Sequence, residues 1–121
     1  MSYTLDINTD NHYVHLAYSG TVDIEERKQA RQAAFDTANQ HGYSRCLVDM
    51  SQSNIEMSQT DAINFATTFK NANLPPNYRV ACITKPGDQS DSLVKIIIAQ
   101  DGINIRYFIN QEEAIHWLIA T

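Results

Sequence analysis

Arg45-Cys46-Leu47-Val48-Asp49-Met50 is the stretch on which the fold turns. It is apolar at Cys46, Leu47, Val48 and Met50 and carries a carboxylate close to its end. A short continuous apolar run of this kind is the pattern of a strand covered on both faces, the usual state of a strand in a parallel sheet. Parallel neighbours need long crossovers, and the flanks supply them. The spacing predicts a helix over about Ile24 to Gln40, with Ile24, Ala30, Ala34, Phe35 and Ala38 as its apolar stripe. Gly42, just past it, is the residue expected to close it in the left-handed conformation. A second helix is expected over about Gln59 to Asn71, with Ala62, Phe65, Ala66 and Phe69 inward, stopped by Leu74-Pro75-Pro76.

Outward from this centre, residues 2–8 and 12–19 both alternate polar and apolar around Thr9-Asp10-Asn11, which reads as a hairpin ended by Gly20. Ser51 to Ser58 reads as a polar loop pinned by Ile55, and Tyr78 to Thr84 as the next strand. Residues 89–100 are rich in strand-prone Val and Ile. They are read as a helix nonetheless, because a crossover between parallel strands must be long. Asn104 to Ile109 is the last strand, and a helix with Ala114, Ile115, Trp117 and Leu118 on its apolar side ends the chain.

The pairs Asp23/Glu26, Ser58/Asp61, Asp88/Asp91 and Asn110/Glu113 each place a capping residue three before an acid at an expected helix start. The expectation is one α/β domain over residues 1–121. Its sheet is a single layer of five strands, mixed, with four helices in the order ββαβαβαβα.

A chain of 121 residues with 43% hydrophobic and 19% charged residues supports one folded core. A net charge of −5 argues against a nucleic-acid or anionic-membrane surface without a local basic patch. Arg27, Lys28 and Arg31 lie beside Glu25 and Glu26 and read as a solvated helix face. The longest apolar run, Ile96 to Ala99, is far too short to span a bilayer, and Met1 to Thr4 show no signal-peptide pattern, so a cytoplasmic location is expected. Cys46 and Cys82 read as reduced, buried small hydrophobes. His12, His15, His41 and His116 have no ligand spacing, so no metal is expected. The sequence also contains no phosphate loop, dinucleotide fingerprint or nucleophile elbow, so no cofactor is expected either.

The element order resembles the STAS-like domains, named for sulfate transporters and anti-sigma-factor antagonists, and is nearest the small stand-alone branch that borders the CRAL-TRIO lipid-binding group. The resemblance is carried by Gly20 with Asp23-Ile-Glu-Glu26, by Arg45 to Met50 with the loop to Ser58, by Arg79 to Ile83, and by Ile105-Arg-Tyr-Phe-Ile-Asn-Gln-Glu-Glu-Ala-Ile-His-Trp-Leu118. It implies a non-enzymatic regulatory module working through protein–protein contacts, with a protein or a second copy of itself as partner. In the anti-sigma-factor antagonists the loop after the central strand ends in Asp-Ser-Ser-Gly or similar, and a partner kinase phosphorylates the serine at the start of the next helix. Ser58 occupies the matching place, which makes it a candidate phosphosite. Met57 stands where the aspartate should be, and Gln59-Thr60 replaces the rest. From the residues alone, Ser58 is a helix cap.

A second functional class is a small-ligand binder. Open α/β sheets bind ligands beyond the carboxyl ends of their parallel strands. Asp49, Ser51, Thr84, Lys85 and Asn110 fall there and are the candidate ligand residues for an anion, a nucleotide or an acyl chain. The helix over 89–100 gives one more expectation. Leu93, Ile96 and Ile97 fill an inward stripe, which leaves Val94 and Ile98 on an exposed flank as contacts of a two-fold homodimer.

Overall fold

The computed structural model describes residues 2–72 and 74–120. Among them the elements run β1 (Tyr3–Asn8), β2 (Tyr13–Tyr18), β3 (Gly20–Val22), α1 (Ile24–His41), β4 (Arg45–Asp49), β5 (Ser53–Ile55) and α2 (Gln59–Thr67). A 3-10 turn over Thr68–Ala72 follows, then β6 (Arg79–Ile83), α3 (Ser92–Gln100), β7 (Asn104–Phe108) and α4 (Gln111–Ile119). The main sheet has the order β1-β2-β4-β6-β7, antiparallel between β1 and β2 and parallel elsewhere. This is the mixed five-stranded sheet with four helices that the sequence implies. Residues 92–100 are helical despite their Val and Ile content, as the crossover argument requires.

The strand order steps in one direction from β2 to β7. Parallel crossovers are right-handed almost without exception. Three such steps in one direction place α1, α2 and α3 on the same side of the sheet. Their core includes Leu16, Phe35, Phe65, Val80, Val94 and Ile98. The other side is covered by α4, whose Ala114 and Leu118 pack on Leu47, Ala81 and Ile83. β1 and β7 are the two edges of the sheet.

Two short strands escape the sequence reading. β3 pairs in parallel with β5, Val22 opposite Ile55, as a separate two-stranded ribbon. The chain enters β3 at Gly20, whose φ of +71° is open to glycine at little cost. The polar loop after β4 is therefore partly ordered by pairing with the segment that leads into α1.

Three of the four expected caps form. Asp23 accepts from the Glu26 N–H at 2.9 Å, although the Glu26 carboxylate accepts from Ser2 Oγ rather than reaching back. Ser58 and Asp61 make both bonds of a capping box, and Asn110 accepts from the Glu113 N–H at 3.0 Å. Gly42 closes α1 with a φ of +69°. The Asp88/Asp91 pair does not cap α3. Asp88 turns back onto the Ser90 N–H at 2.9 Å, and Asp91 makes no cap bond at all.

Asp91 is instead buried, only 6% exposed, against Arg27, which is 3% exposed. The guanidinium and the carboxylate meet through two bonds of 2.7 and 2.6 Å, the two-pronged geometry that suits arginine. Tyr107 on β7 donates to the same carboxylate at 2.7 Å. The Phe65 ring on α2 lies 4.2 Å from the Arg27 Cζ, and Met50 Sδ accepts at 3.4 Å. Burial alone would lower the Arg27 pKa, but the adjacent carboxylate overrides it and raises it. Burial first, with the Asp91 carboxylate beside it, pushes the Tyr107 hydroxyl well above its ordinary value, so it stays a donor.

The reading of Arg27 and Arg31 as a solvated face is thus corrected. Arg27 is in the core, and Arg31 lies over Phe65 and Phe69 at 4.4 and 4.8 Å and donates to the Phe65 carbonyl at 2.7 Å. Removing one member of a buried pair strands the other in a medium of low polarity. Asp91→Ala is expected to destabilise the domain by about 3–5 kcal/mol. The double change Arg27→Met with Asp91→Leu is expected to recover most of that loss. Urea denaturation of the three proteins checks both statements, and an Asp91→Ala protein as stable as the parent contradicts the first.

Candidate functional site

The carboxyl ends of β6 and β7 open onto a cleft of about 400 Å³. Thr84, Lys85 and Phe108 form one wall, and Asp88, Lys95 and Glu113 stand around the rim. The cleft exists because β6 ends at a turn containing Gly87, with a φ of +77°, which swings the chain away before α3 begins. Lys95 projects from α3 with its Nζ 5.6 Å from the Tyr107 ring centre. The lining carries two lysines and two carboxylates besides the paired Asp91, so it has no strong bias toward either sign.

Of the candidate ligand residues, Thr84 and Lys85 line this cleft. The Lys85 ammonium is already held by the Ser53 carbonyl at 2.8 Å, and that bond ties β6 to the β3–β5 ribbon. Asp49 and Ser51 face each other: one Asp49 oxygen accepts from the Ser51 N–H at 2.9 Å and from its hydroxyl at 2.6 Å. Asn110 caps α4. These three groups stabilise local turns. The structure therefore brings together two of the five and gives the other three structural partners.

Between the sheet and α1–α3 lies an apolar interior cavity of about 30 Å³, walled among others by Leu16, Phe35, Phe69 and Ile98. That is room for one or two water-sized groups and far short of an acyl chain. The thiols of Cys46 and Cys82 border it. They lie on neighbouring strands but in diagonal register, Cys46 opposite Val80 and Cys82 opposite Val48, and both are free. Burial pushes the Cys46 thiol up to about 12 and raises Cys82 as well. Among the described residues no three histidine, cysteine, aspartate or glutamate side chains cluster as a metal site would require.

Ser58 is exposed at the start of α2, with its hydroxyl accepting from the Asp61 N–H at 3.1 Å. The cap reading of the sequence is what the geometry shows. Val94 and Ile98 correct a further expectation. Both are 0% exposed and sit in the core, while Ile96 is 56% exposed. The helix is rotated by one residue from the expected stripe, so these two side chains cannot form an exposed contact between copies.

The Arg27–Asp91–Tyr107 cluster is the feature that sequence reasoning missed. A signal was available. Arg27 falls in phase with Ala30, Ala34 and Ala38, all buried, and Asp91 falls in phase with Val94 and Ile98. An opposite charge in the apolar stripe of each of two helices is the pattern of a buried pair.

The strand order, the crossovers on one face and a helix opening after the central strand at an exposed serine define a STAS-like α/β domain. The chain belongs to the SpoIIAA-like family, whose profile matches residues 13–119. Among solved structures it is similar to an uncharacterised protein from Shewanella loihica with a SpoIIAA-like fold. The TM-score is 0.62 at 16% identity, covering 96% of this chain and 91% of that one. It is also similar to the anti-sigma factor antagonist SpoIIAA in its unphosphorylated form, with a TM-score of 0.61 at 16% identity, covering 98% and 99% of the two chains. At this identity the likeness establishes the fold. No protein of curated function matches the chain in sequence.

Three outcomes are expected from this geometry. Ser58→Ala loses about 1 kcal/mol of stability with its cap, whereas Ser58→Asp is tolerated, because an anion suits a helix start. Denaturant melts check the pair. Ile98→Glu fails to fold, since it drives a carboxylate into the core, and circular dichroism of the purified protein checks it. Cys46 and Cys82 stay unreactive toward a thiol reagent at pH 8 in the native protein and react fully in denaturant, because burial holds both as thiols.

Proposed function

We propose that the chain is a non-enzymatic, cytoplasmic regulatory module that binds another protein through the loop over 51–58 and the start of α2. The observation that carries this reading is the exposed Ser58 at the head of α2, in a fold shared with an anti-sigma factor antagonist. The polar groups at the carboxyl ends support it. Asp49, Ser51 and Asn110 are used to hold turns. Gln59, Thr60, Ile63 and Asn64 are exposed on α2 and give the face its specificity.

Ser58 is also the point at which such a contact is switched. Phosphorylation there adds close to two negative charges at a helix start, which favours them. It also leaves oxygen acceptors for the Asp61 N–H and sets the new charge beside the Asp61 carboxylate, which accepts from the Ser58 N–H. Repulsion between the two acids weakens that second bond of the capping box, and the contact face gains a charge.

The test is affinity purification from the cells of origin, using the tagged parent, Gln59→Arg and Ser58→Asp. The expected result is a protein whose recovery falls at least about tenfold, equivalent to about 1.4 kcal/mol, with both variants while their melts match the parent. Identical recoveries with all three proteins overturn the reading. A second reading, a small-ligand binder, is favoured by the cleft of about 400 Å³ with Thr84, Lys85 and Lys95 in its wall. Native mass spectrometry of the purified protein separates the two, because a co-purifying small molecule released by Lys95→Glu supports the second.

A further inference from the structure

The two edges of the main sheet match each other. Asp6, His15, Leu47, Ala81 and Arg106 stand in one row across it, each opposite the next in register. Their side chains therefore share one face, the one that α4 covers at Leu47 and Ala81. The row ends in an exposed carboxylate on β1 and an exposed guanidinium on β7. Continued in the plane of the sheet, the row of one molecule meets that of the next as Arg106 against Asp6.

The backbone agrees with this register. The N–H and C=O of a strand residue point to the same side, and successive residues alternate. The Ser2 carbonyl accepts from the Ser19 N–H at 2.8 Å, so Thr4, Asp6 and Asn8 face β2, while Leu5 and Ile7 face away from the sheet. The Phe108 carbonyl accepts from the Thr84 N–H at 2.8 Å, so Asn104 and Arg106 face β6, while Ile105 and Tyr107 face away. β1 runs opposite to the other strands of the sheet, so β1 of one copy lies antiparallel to β7 of the next. With Arg106 opposite Asp6, Ile105 falls opposite Ile7 and Tyr107 opposite Leu5. These are the outward-facing residues of both strands, and each such pair exchanges both its N–H···O bonds. The Ile105 N–H, which closes on the Ile103 carbonyl at 3.1 Å within one molecule, trades that tight turn for a ladder bond. Asp6 and Arg106 form the non-hydrogen-bonded pair between, where side chains approach most closely. A slip of one residue sets outward groups against inward ones and loses every bond. A slip of two keeps the bonds but sets Arg106 against Thr4 or Asn8 and loses the charge pair.

The side chains and the helices leave room for the contact. Leu5, Ile105 and Tyr107 lie half-buried against the core under α1–α3. Ile7 is on the same face, opposite Val14, and is exposed. Joined in this register, Ile7 of one copy lies beside Ile105 of the next. Ile109, exposed just past β7, falls opposite Tyr3. α3 connects β6 to β7 and α1 connects β2 to β4, so α3 of one copy and α1 of the next stand about three strand widths apart, about 14 Å. Packed helices need only about 8–10 Å. On the other face α4 lies over β4 and β6, away from both edges.

We infer that the partner of this surface is a second copy of the chain, joined β7 to β1 in an antiparallel, head-to-tail contact that carries the sheet from molecule to molecule. The two surfaces differ, so the contact is heterologous and repeats. Adjacent strands rotate by about 20–25°, so a copy of five strands turns its neighbour by about 100–125° while advancing it along the sheet. The result is an open twisted ribbon, not a ring. A single exposed charge pair and two short strands make each junction weak and dependent on concentration. Neither edge includes the loop over 51–58 or the start of α2, so the inference stands apart from the function proposed above.

Sedimentation of the parent over about 10 µM to 1 mM, the span in which weak contacts fill, tests it. The expected result is a series of species growing beyond the dimer as concentration rises. Asp6→Arg and Arg106→Asp each turn the attractive cross-strand pair into a repulsive one and are expected to lower the association constant about five- to tenfold. An equimolar mixture of these two variants restores opposite charges at every junction and is expected to associate like the parent. Ile7→Pro removes an outward N–H, which an edge strand tolerates, and is expected to abolish the association while its melt stays close to that of the parent. A parent that is monomeric at 1 mM overturns the proposal, as does one that stops at a dimer. Association unchanged by both charge reversals, or a mixture no more associated than its components, overturns it too.

Discussion

The ion pair between Arg27 and Asp91 is the constraint on which the arrangement of the helices depends. It joins α1 to the start of α3, takes a third bond from β7 and lies against the Phe65 ring of α2. An arginine and an aspartate buried together are costly to desolvate, and the pair adds little net stability over an apolar replacement. Its effect is on alternatives. A slip of α3 by one residue turns Asp91 away and leaves Arg27 buried without a counter-charge. The pair therefore acts as a check on register, and it explains the rotation of α3. With Asp91 required to face Arg27, the inward positions become Asp91, Val94 and Ile98, and Ile96 is left outside.

The fold was legible because local signals agreed with one another. The apolar run from Cys46 to Val48, the proline stop after α2, and Gly42 at the end of α1 each have one physical reading. The helix over 92–100 was legible only through topology, since its own residues favour a strand. Where the reading failed, the competing effect was tertiary. Asp91 satisfies the grammar of a helix cap and is drawn instead into the core by a residue 64 positions away. β3 and β5 are three residues each, too short to show a period, and they form because they meet each other.

The candidate site was legible in part. Position relative to the strand ends pointed to Thr84 and Lys85, which line the cleft, because that follows from topology alone. It could not tell an available group from a committed one. Asp49 and Ser51 satisfy each other across two residues, a local bond that removes both from ligand chemistry.

The edges of the sheet have a bearing on solubility. β1 and β7 each present a row of open backbone groups, the usual template for unwanted strand pairing between molecules. Each edge carries a charged, exposed side chain in its middle, Asp6 on β1 and Arg106 on β7. Symmetric pairing of β1 with a second β1 brings carboxylates together, and pairing of β7 with β7 brings guanidiniums together. The charges thus oppose the pairing of each edge with its own copy, whereas β1 of one molecule and β7 of another meet with opposite signs.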